Sequence, residues 1–104
     1  MSEPASALRI SVEELDGVTI RVAGEIDYET SGSLRAAVDG ALAKADGGSV
    51  VFDLGEVGFM DSSGLAVLIE AENRGASVRV REASPAVALT IRATGLQHLL
   101  RPEQ

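Results

Sequence analysis

Between Leu8 and Leu54 the apolar residues change their spacing twice, and no other feature of the chain restricts the fold as much. Leu8, Ile10 and Val12 alternate with polar neighbours, and after Asp16-Gly17 so do Val18, Ile20 and Val22. A period of two on either side of Asp-Gly predicts two hairpin-linked strands. After Gly24-Glu25-Ile26-Asp27 the spacing becomes three and four. Leu34, Val38 and Leu42, with Ala37 and Ala41 beside them, predict an amphipathic helix. Asp27, Thr30 and Ser31 are candidate caps for its start, Gly32 and Gly40 weaken it, and Asp46-Gly47-Gly48 ends it. Val50-Val51-Phe52-Asp53-Leu54 is then almost continuously apolar, the pattern of a central strand buried on both faces.

From Ser63 to Arg74 the period returns to that of a helix, with Leu65, Leu68 and Ile69 on one side. Val67 and Ala71 widen this apolar sector beyond a core stripe, which predicts a contact surface there. Gly75 stops the helix, Val78 and Val80 alternate with Ser77, Arg79 and Arg81 as a strand, and Ser84-Pro85 opens a last helix. Leu89 to Ile91 and Leu96 are expected to supply its apolar side, and Gly95 to end it. The order is strand, strand, helix, strand, helix, strand, helix, with crossover helices joining strands two, three and four. Polar Ser11, Thr19 and Arg21 leave the opposite sheet face solvated, so the helices should cover mainly one side. With one tyrosine, two phenylalanines and no tryptophan, the core must be built from Val, Leu, Ile and Ala. The expected fold is α/β: a single domain over residues 1–104 with an ordered core from about 8 to 101, and a mixed sheet of four to five strands with helices mainly on one face.

Sixteen acidic against nine basic residues give a net charge of −7, which repels a phosphate backbone and argues against nucleic acid as a partner. The longest unbroken apolar run, Leu65 to Ile69, is far short of the roughly 20 residues that span a bilayer. No membrane association is expected. The opening MSEPAS has neither the basic segment nor the apolar stretch of a secretion signal, so a cytoplasmic protein is expected. No cysteine and one histidine leave no thiolate chemistry and no zinc set, and neither an EF-hand nor a phosphate-binding glycine loop is present. No metal and no cofactor are predicted.

The chemistry concentrates in Phe59-Met60-Asp61-Ser62-Ser63-Gly64-Leu65, where two hydroxyls stand beside a carboxylate. A hydrolytic serine needs a base, but the only histidine, His98, sits in a leucine-flanked segment, and the G-x-S-x-G elbow is missing. No catalytic residue is assigned, and no enzyme is expected. The structural reading is a helix cap: Asp61, Ser62 or Ser63 can accept from the first-turn amides, worth about 1 kcal/mol. A serine at that place is also accessible, and a phosphate added to it would meet free amides and the positive end of the helix dipole. Capping and modification are compatible.

Four stretches in order, Gly24-Glu25-Ile26-Asp27, Phe59 to Leu65, Ser84-Pro85-Ala86-Val87 and Thr94-Gly95-Leu96, resemble the STAS domain family. Within it, they are similar to the anti-sigma factor antagonists typified by the sporulation regulator of bacilli. The resemblance implies a serine phosphorylated by the chain's own binding partner, a GHKL-type anti-sigma serine kinase that uses Mg-ATP. Unphosphorylated, such a protein captures the kinase and releases a sigma factor; a PP2C-like phosphatase resets it. By motif position the phosphoacceptor is Ser62, and the partner-binding residues are Asp27, Asp61, Ser62, Ser63 and Gly64. A monomer is expected, with a dimer as the alternative. The second reading is a STAS scaffold subunit, of a stressosome or beside a lipid-transport ATPase, in which the same motif docks and never carries phosphate. Between Asp61 and Val78 the chain is roughly four residues shorter than the sporulation regulator, about one helical turn, and it ends at Gln104 where many relatives continue.

A phosphate on Ser62 adds about −1.5 to −2 charges next to Asp61, a sign that favours repulsion from an acidic partner. A hundredfold weakening needs about 2.8 kcal/mol, whereas an exposed charge pair supplies only about 0.2 to 1. The serine is therefore expected inside a contact patch, where steric blockage and desolvation add to charge.

Overall fold

The computed structural model describes residues 8–14 and 17–100. One sheet holds β1 (Arg9–Glu14), β2 (Val18–Ile26), β3 (Ser49–Met60) and β4 (Ser77–Arg81) in that spatial order. The first pair is antiparallel, and the pairs β2–β3 and β3–β4 are parallel. Asp16 of the expected hairpin turn lies outside the described residues, as do the opening MSEPAS, Arg101 and the end at Gln104. Gly17 has φ +103°, and a Cβ there would come within 2.8 Å of the Ser49 carbonyl oxygen, so both backbone sign and space call for glycine. The crossovers are α1 (Ser31–Ala45) and α2 (Ser62–Asn73); α3 (Pro85–Ala93) and a 3₁₀ turn at Gln97–Leu100 follow β4.

Two crossovers of the usual hand that each advance one strand in the same direction place both helices on the same face. Burial agrees: Val18, Ile20, Val22, Val50, Phe52, Leu54, Val78 and Val80 are buried against the helices, while Arg21 and Arg81 on the other face are exposed. The expectation of a strand buried on both faces fails for this reason. Among the described residues no helix covers the second face, so Val51 and Asp53 are only half-buried, and Asp53 sits in an ion-pair ladder with Arg21 at 3.3 Å and Arg81 at 3.6 Å.

β3 is also longer than its apolar run, because the chain continues as strand past Leu54 to Met60. Its register against β2 slips twice, pairing Arg21 with Asp53 but Ala23 with Glu56, and Gly24 with Val57 but Glu25 with Phe59. The extra residues fall around Gly55 and Gly58, where bulges bend the strand. β4 pairs with β3 only as far as Asp53, and α3 lies along the remainder. Ser84 donates from its amide to the Leu54 carbonyl (3.3 Å) and from its hydroxyl to that of Val57 (2.6 Å), and the Thr90 hydroxyl donates to the Met60 carbonyl (2.9 Å). These bonds close an otherwise open sheet edge.

Two expectations about helix faces are corrected. Val67 and Ala71 are fully buried, because α1 packs beside α2 and α2 needs a second apolar flank for that seam. Arg74 bridges to Asp39 across the seam, and Arg35 grips Glu70 with two bonds of 3.0 Å, which hold the Glu70 carboxyl below its ordinary pKa. Leu89 is 70% exposed: α3 is held at the strand edge by hydroxyl bonds and buries Val87 and Ile91 instead.

Candidate functional site

β2 and β3 end side by side, with Ile26 in register with Met60, and an aspartate follows each. The ladder runs one step further, since the Asp61 amide donates to the Ile26 carbonyl at 3.1 Å. That bond holds Asp61 extended (φ −106°, ψ −170°), the backbone a helix cap requires, and its Oδ1 accepts from the Ser63 amide at 2.9 Å. Of the three candidate caps, Asp61 is the one used. The same Oδ1 accepts from the Ser63 hydroxyl at 2.5 Å, so Ser63 is tied down at both its donors.

Gly64 is buried and lets α2 start this close to the strands. A Cβ there would stand 2.7 Å from Ile26 Cγ2 and 2.7 Å from Met60 Cγ, nearer than side chains approach. With Gly64 seated and Ser63 bonded to the cap, Ser62, the first residue of α2, is turned outward. It is exposed, and its hydroxyl makes no hydrogen bond among the described residues.

On the neighbouring strand, Asp27 closes a different turn. Its Oδ1 accepts from the amides of Glu29 and Thr30, each at 3.0 Å. Thr30 reciprocates: its hydroxyl accepts from the Asp27 amide (2.9 Å) and donates to the Glu25 carbonyl (2.8 Å). Thr30 is buried, and it stands at the cap position of α1 without making a side-chain cap bond. Asp27 therefore stiffens the loop beside Ser62 and keeps its partly exposed carboxylate at the same end of the sheet.

The five residues singled out from the sequence, Asp27, Asp61, Ser62, Ser63 and Gly64, thus converge on one rim. The single histidine, His98, is not among them. His98 pairs with Glu72 at 3.0 Å, and Glu72 lies ten residues along α2 from Ser62, roughly 15 Å at 1.5 Å per residue. Sequence reasoning passed over Tyr28, 85% exposed on the turn that Asp27 closes. Its signal was a lone aromatic between two acids, outside either apolar period.

A profile of the family described as Mlab, STAS domain matches residues 10–102. An anti-sigma F factor antagonist of Paenibacillus polymyxa is 33% identical over 94 residues, 86% of this chain and 80% of that protein. The crystal structure of an anti-sigma factor antagonist from Mycobacterium paratuberculosis superposes with a TM-score of 0.77 at 32% identity, covering 96% of this chain and 87% of that one. The anti-sigma factor antagonist SpoIIAA in its unphosphorylated form shares the fold, with a TM-score of 0.75 at 21% identity over 92% of this chain and 89% of that one.

Proposed function

The chain belongs to the STAS domain family, and from that premise we propose that it is an anti-sigma factor antagonist switched by phosphate on Ser62. Unphosphorylated, it binds a GHKL-type anti-sigma serine kinase and so frees a sigma factor; phosphorylated, it lets go until a PP2C-like phosphatase restores the serine. The observation that carries this reading is the contrast among the hydroxyls at the rim. Ser63 and Thr30 are bonded, and Ser62 alone of the three is exposed and free.

A free hydroxyl at the first helical position has the access a kinase needs, and neighbouring groups hold the backbone so that no rearrangement is required to present it. Release requires more than surface charge. Exposed pairs contribute about 0.2 to 1 kcal/mol, while a hundredfold loss of affinity needs about 2.8, so the hydroxyl must lie under the partner when bound. A phosphate then cannot fit without prising the surfaces apart. Asp61 keeps its capping role throughout, and Asp27 holds the adjacent loop.

The test is phosphate transfer. The protein is incubated with candidate anti-sigma kinases and Mg-ATP, and any phosphate is mapped by mass spectrometry. Phosphate on Ser62 is expected, with Ser62→Ala still binding the kinase and Ser62→Asp binding at least about tenfold more weakly by calorimetry. Equal affinities for the two variants would sink the switch. Tight binding with no transfer would favour the scaffold reading, in which the motif docks and is never modified.

A further inference from the structure

Among the described residues the exposed large apolar side chains are Val12, Tyr28, Phe59 and Leu89. Val12 lies on β1. The other three gather at the end of the sheet that carries Ser62. Tyr28 follows β2 on the turn closed by Asp27. Phe59 precedes the core residue Met60 on β3 and turns to the opposite face, in register with Glu25. Leu89 sits one residue before Thr90, whose hydroxyl is bonded to the Met60 carbonyl, so α3 brings it beside the end of β3. The apolar side chains alternate with carboxylates: Glu25, Asp27, Glu29 and Asp61. Residues 22–34 and 54–73, which build this end of β2, β3 and the starts of α1 and α2, contain no lysine or arginine. Arg35, the first cation along α1, is taken by Glu70, and α3 adds Arg92 three residues past Leu89.

We propose that Tyr28, Phe59 and Leu89 are the anchors that hold the partner, and that the partner presents apolar recesses rimmed by arginine or lysine. This deepens the proposed function and rests on it. An 85% exposed tyrosine offers amphipathic area at little ordering cost when its backbone is already fixed, and here the Ser31 hydroxyl donates to the Tyr28 carbonyl at 3.1 Å while Asp27 holds the next amides. Aromatic anchors surrounded by a charged rim are the usual anatomy of an interface that binds through a few residues. The sign of the rim selects the occupant. A second copy of this chain, docked about a two-fold axis, would set these carboxylates against one another. A cationic partner meets them with its own charges. One consequence is that charge alone would draw phosphorylated Ser62 toward such a partner, so release comes from bulk and from the cost of desolvating a buried charge, a cost that Ser62→Asp also carries, rather than from repulsion.

The experiment is calorimetry of the full chain against the anti-sigma kinase that modifies Ser62 in the transfer assay, with ADP present. Tyr28→Ala and Leu89→Ala are each expected to weaken binding by about tenfold or more, Glu29→Lys by about threefold or more, and Val12→Ala by less than about twofold. Raising sodium chloride from about 50 to 300 mM should weaken the wild type by about fivefold. Melting curves confirm that each variant is folded, and truncation of exposed side chains leaves the core in place. If Tyr28→Ala and Leu89→Ala bind like the wild type, or affinity holds steady or rises with salt, while Ser62→Asp still fails to bind, the surface is wrong and the switch stands. If no anti-sigma kinase binds the wild type, both readings fall. If sedimentation shows a dimer that Tyr28→Ala dissociates, a second copy occupies the patch and the proposal is overturned.

Discussion

Asp27 and Asp61 stand at equivalent places, one residue past the paired strand ends Ile26 and Met60, yet the hydroxyls near them end in opposite states. At the mouth of α1 the aspartate closes a turn before the helix, and Thr30 is drawn inward until its hydroxyl bridges the Asp27 amide and the Glu25 carbonyl. At the mouth of α2 the aspartate caps the helix directly, which consumes Ser63 and leaves Ser62 pointing out. The difference comes from the distance between strand end and helix start. α2 begins one residue after Asp61, whereas α1 begins four residues after Asp27. A short connection exposes the first helical side chain, and a longer one has room to bury it. The short connection yields a first helical residue whose hydroxyl is rigidly placed and free, whereas the first helical residue of α1, Ser31, is buried and bonded to the Tyr28 carbonyl.

The contrast breaks most visibly at glycine. Gly64→Ala places a methyl 2.7 Å from Ile26 Cγ2 and Met60 Cγ, and is expected to destabilise the fold by about 2 kcal/mol in urea unfolding. Gly32, near the start of α1, has nothing within 4 Å of its would-be Cβ, so Gly32→Ala should stabilise by up to about 1 kcal/mol. Equal effects at the two sites would mean that the tight seating of α2 is not what holds Ser62 outward. Next in size is Thr30→Val, which keeps the shape but removes the buried hydroxyl that pairs the partly buried Asp27 amide and Glu25 carbonyl; a loss of about 1.5 kcal/mol is expected, read as a lower urea midpoint at unchanged slope. The same deletion at Ser62 removes no bond, so Ser62→Ala should unfold within about 0.5 kcal/mol of the wild type.

How far the sequence carries this contrast depends on which interactions are local. The alternation of β1 and β2, the three-four spacing of α1 and the caps at Ser84-Pro85 depend on near neighbours, and all stand where the periodicity puts them. The crossovers β2–α1–β3 and β3–α2–β4 follow from that order. What could not be read depended on the far side of a contact. Val51 and Asp53 look like core until it is known that both crossover helices choose the other face. Val67 and Ala71 look superfluous until α1 is placed beside them. Leu89 looks buried until α3 is found to be held by the hydroxyls of Ser84 and Thr90 rather than by an apolar stripe. At the rim, Asp61-Ser62-Ser63 was legible as a cap, but three residues were equally able to supply it. The choice was made by the Asp61 amide pairing with Ile26, thirty-five residues away.

The finest test of the comparison is Asp61→Ala, since that residue alone separates the two serines. Removing the carboxylate deletes the bonds to the Ser63 amide and hydroxyl but leaves the Asp61 backbone bonds to Ile26 and Gly64, which alanine can keep. The stability loss should therefore be that of one helix cap, about 1 kcal/mol, smaller than at Gly64 or Thr30. The functional effect is more telling than the energetic one. With its acceptor gone, the half-buried Ser63 hydroxyl is no longer bonded, and under the proposed switch phosphate directed to Ser62 in the wild type should divide between the two, read by fragment-ion mass spectrometry. Transfer that stays on Ser62 alone would mean that the kinase discriminates by position along the helix, and that the cap contributes stability without setting the site of modification.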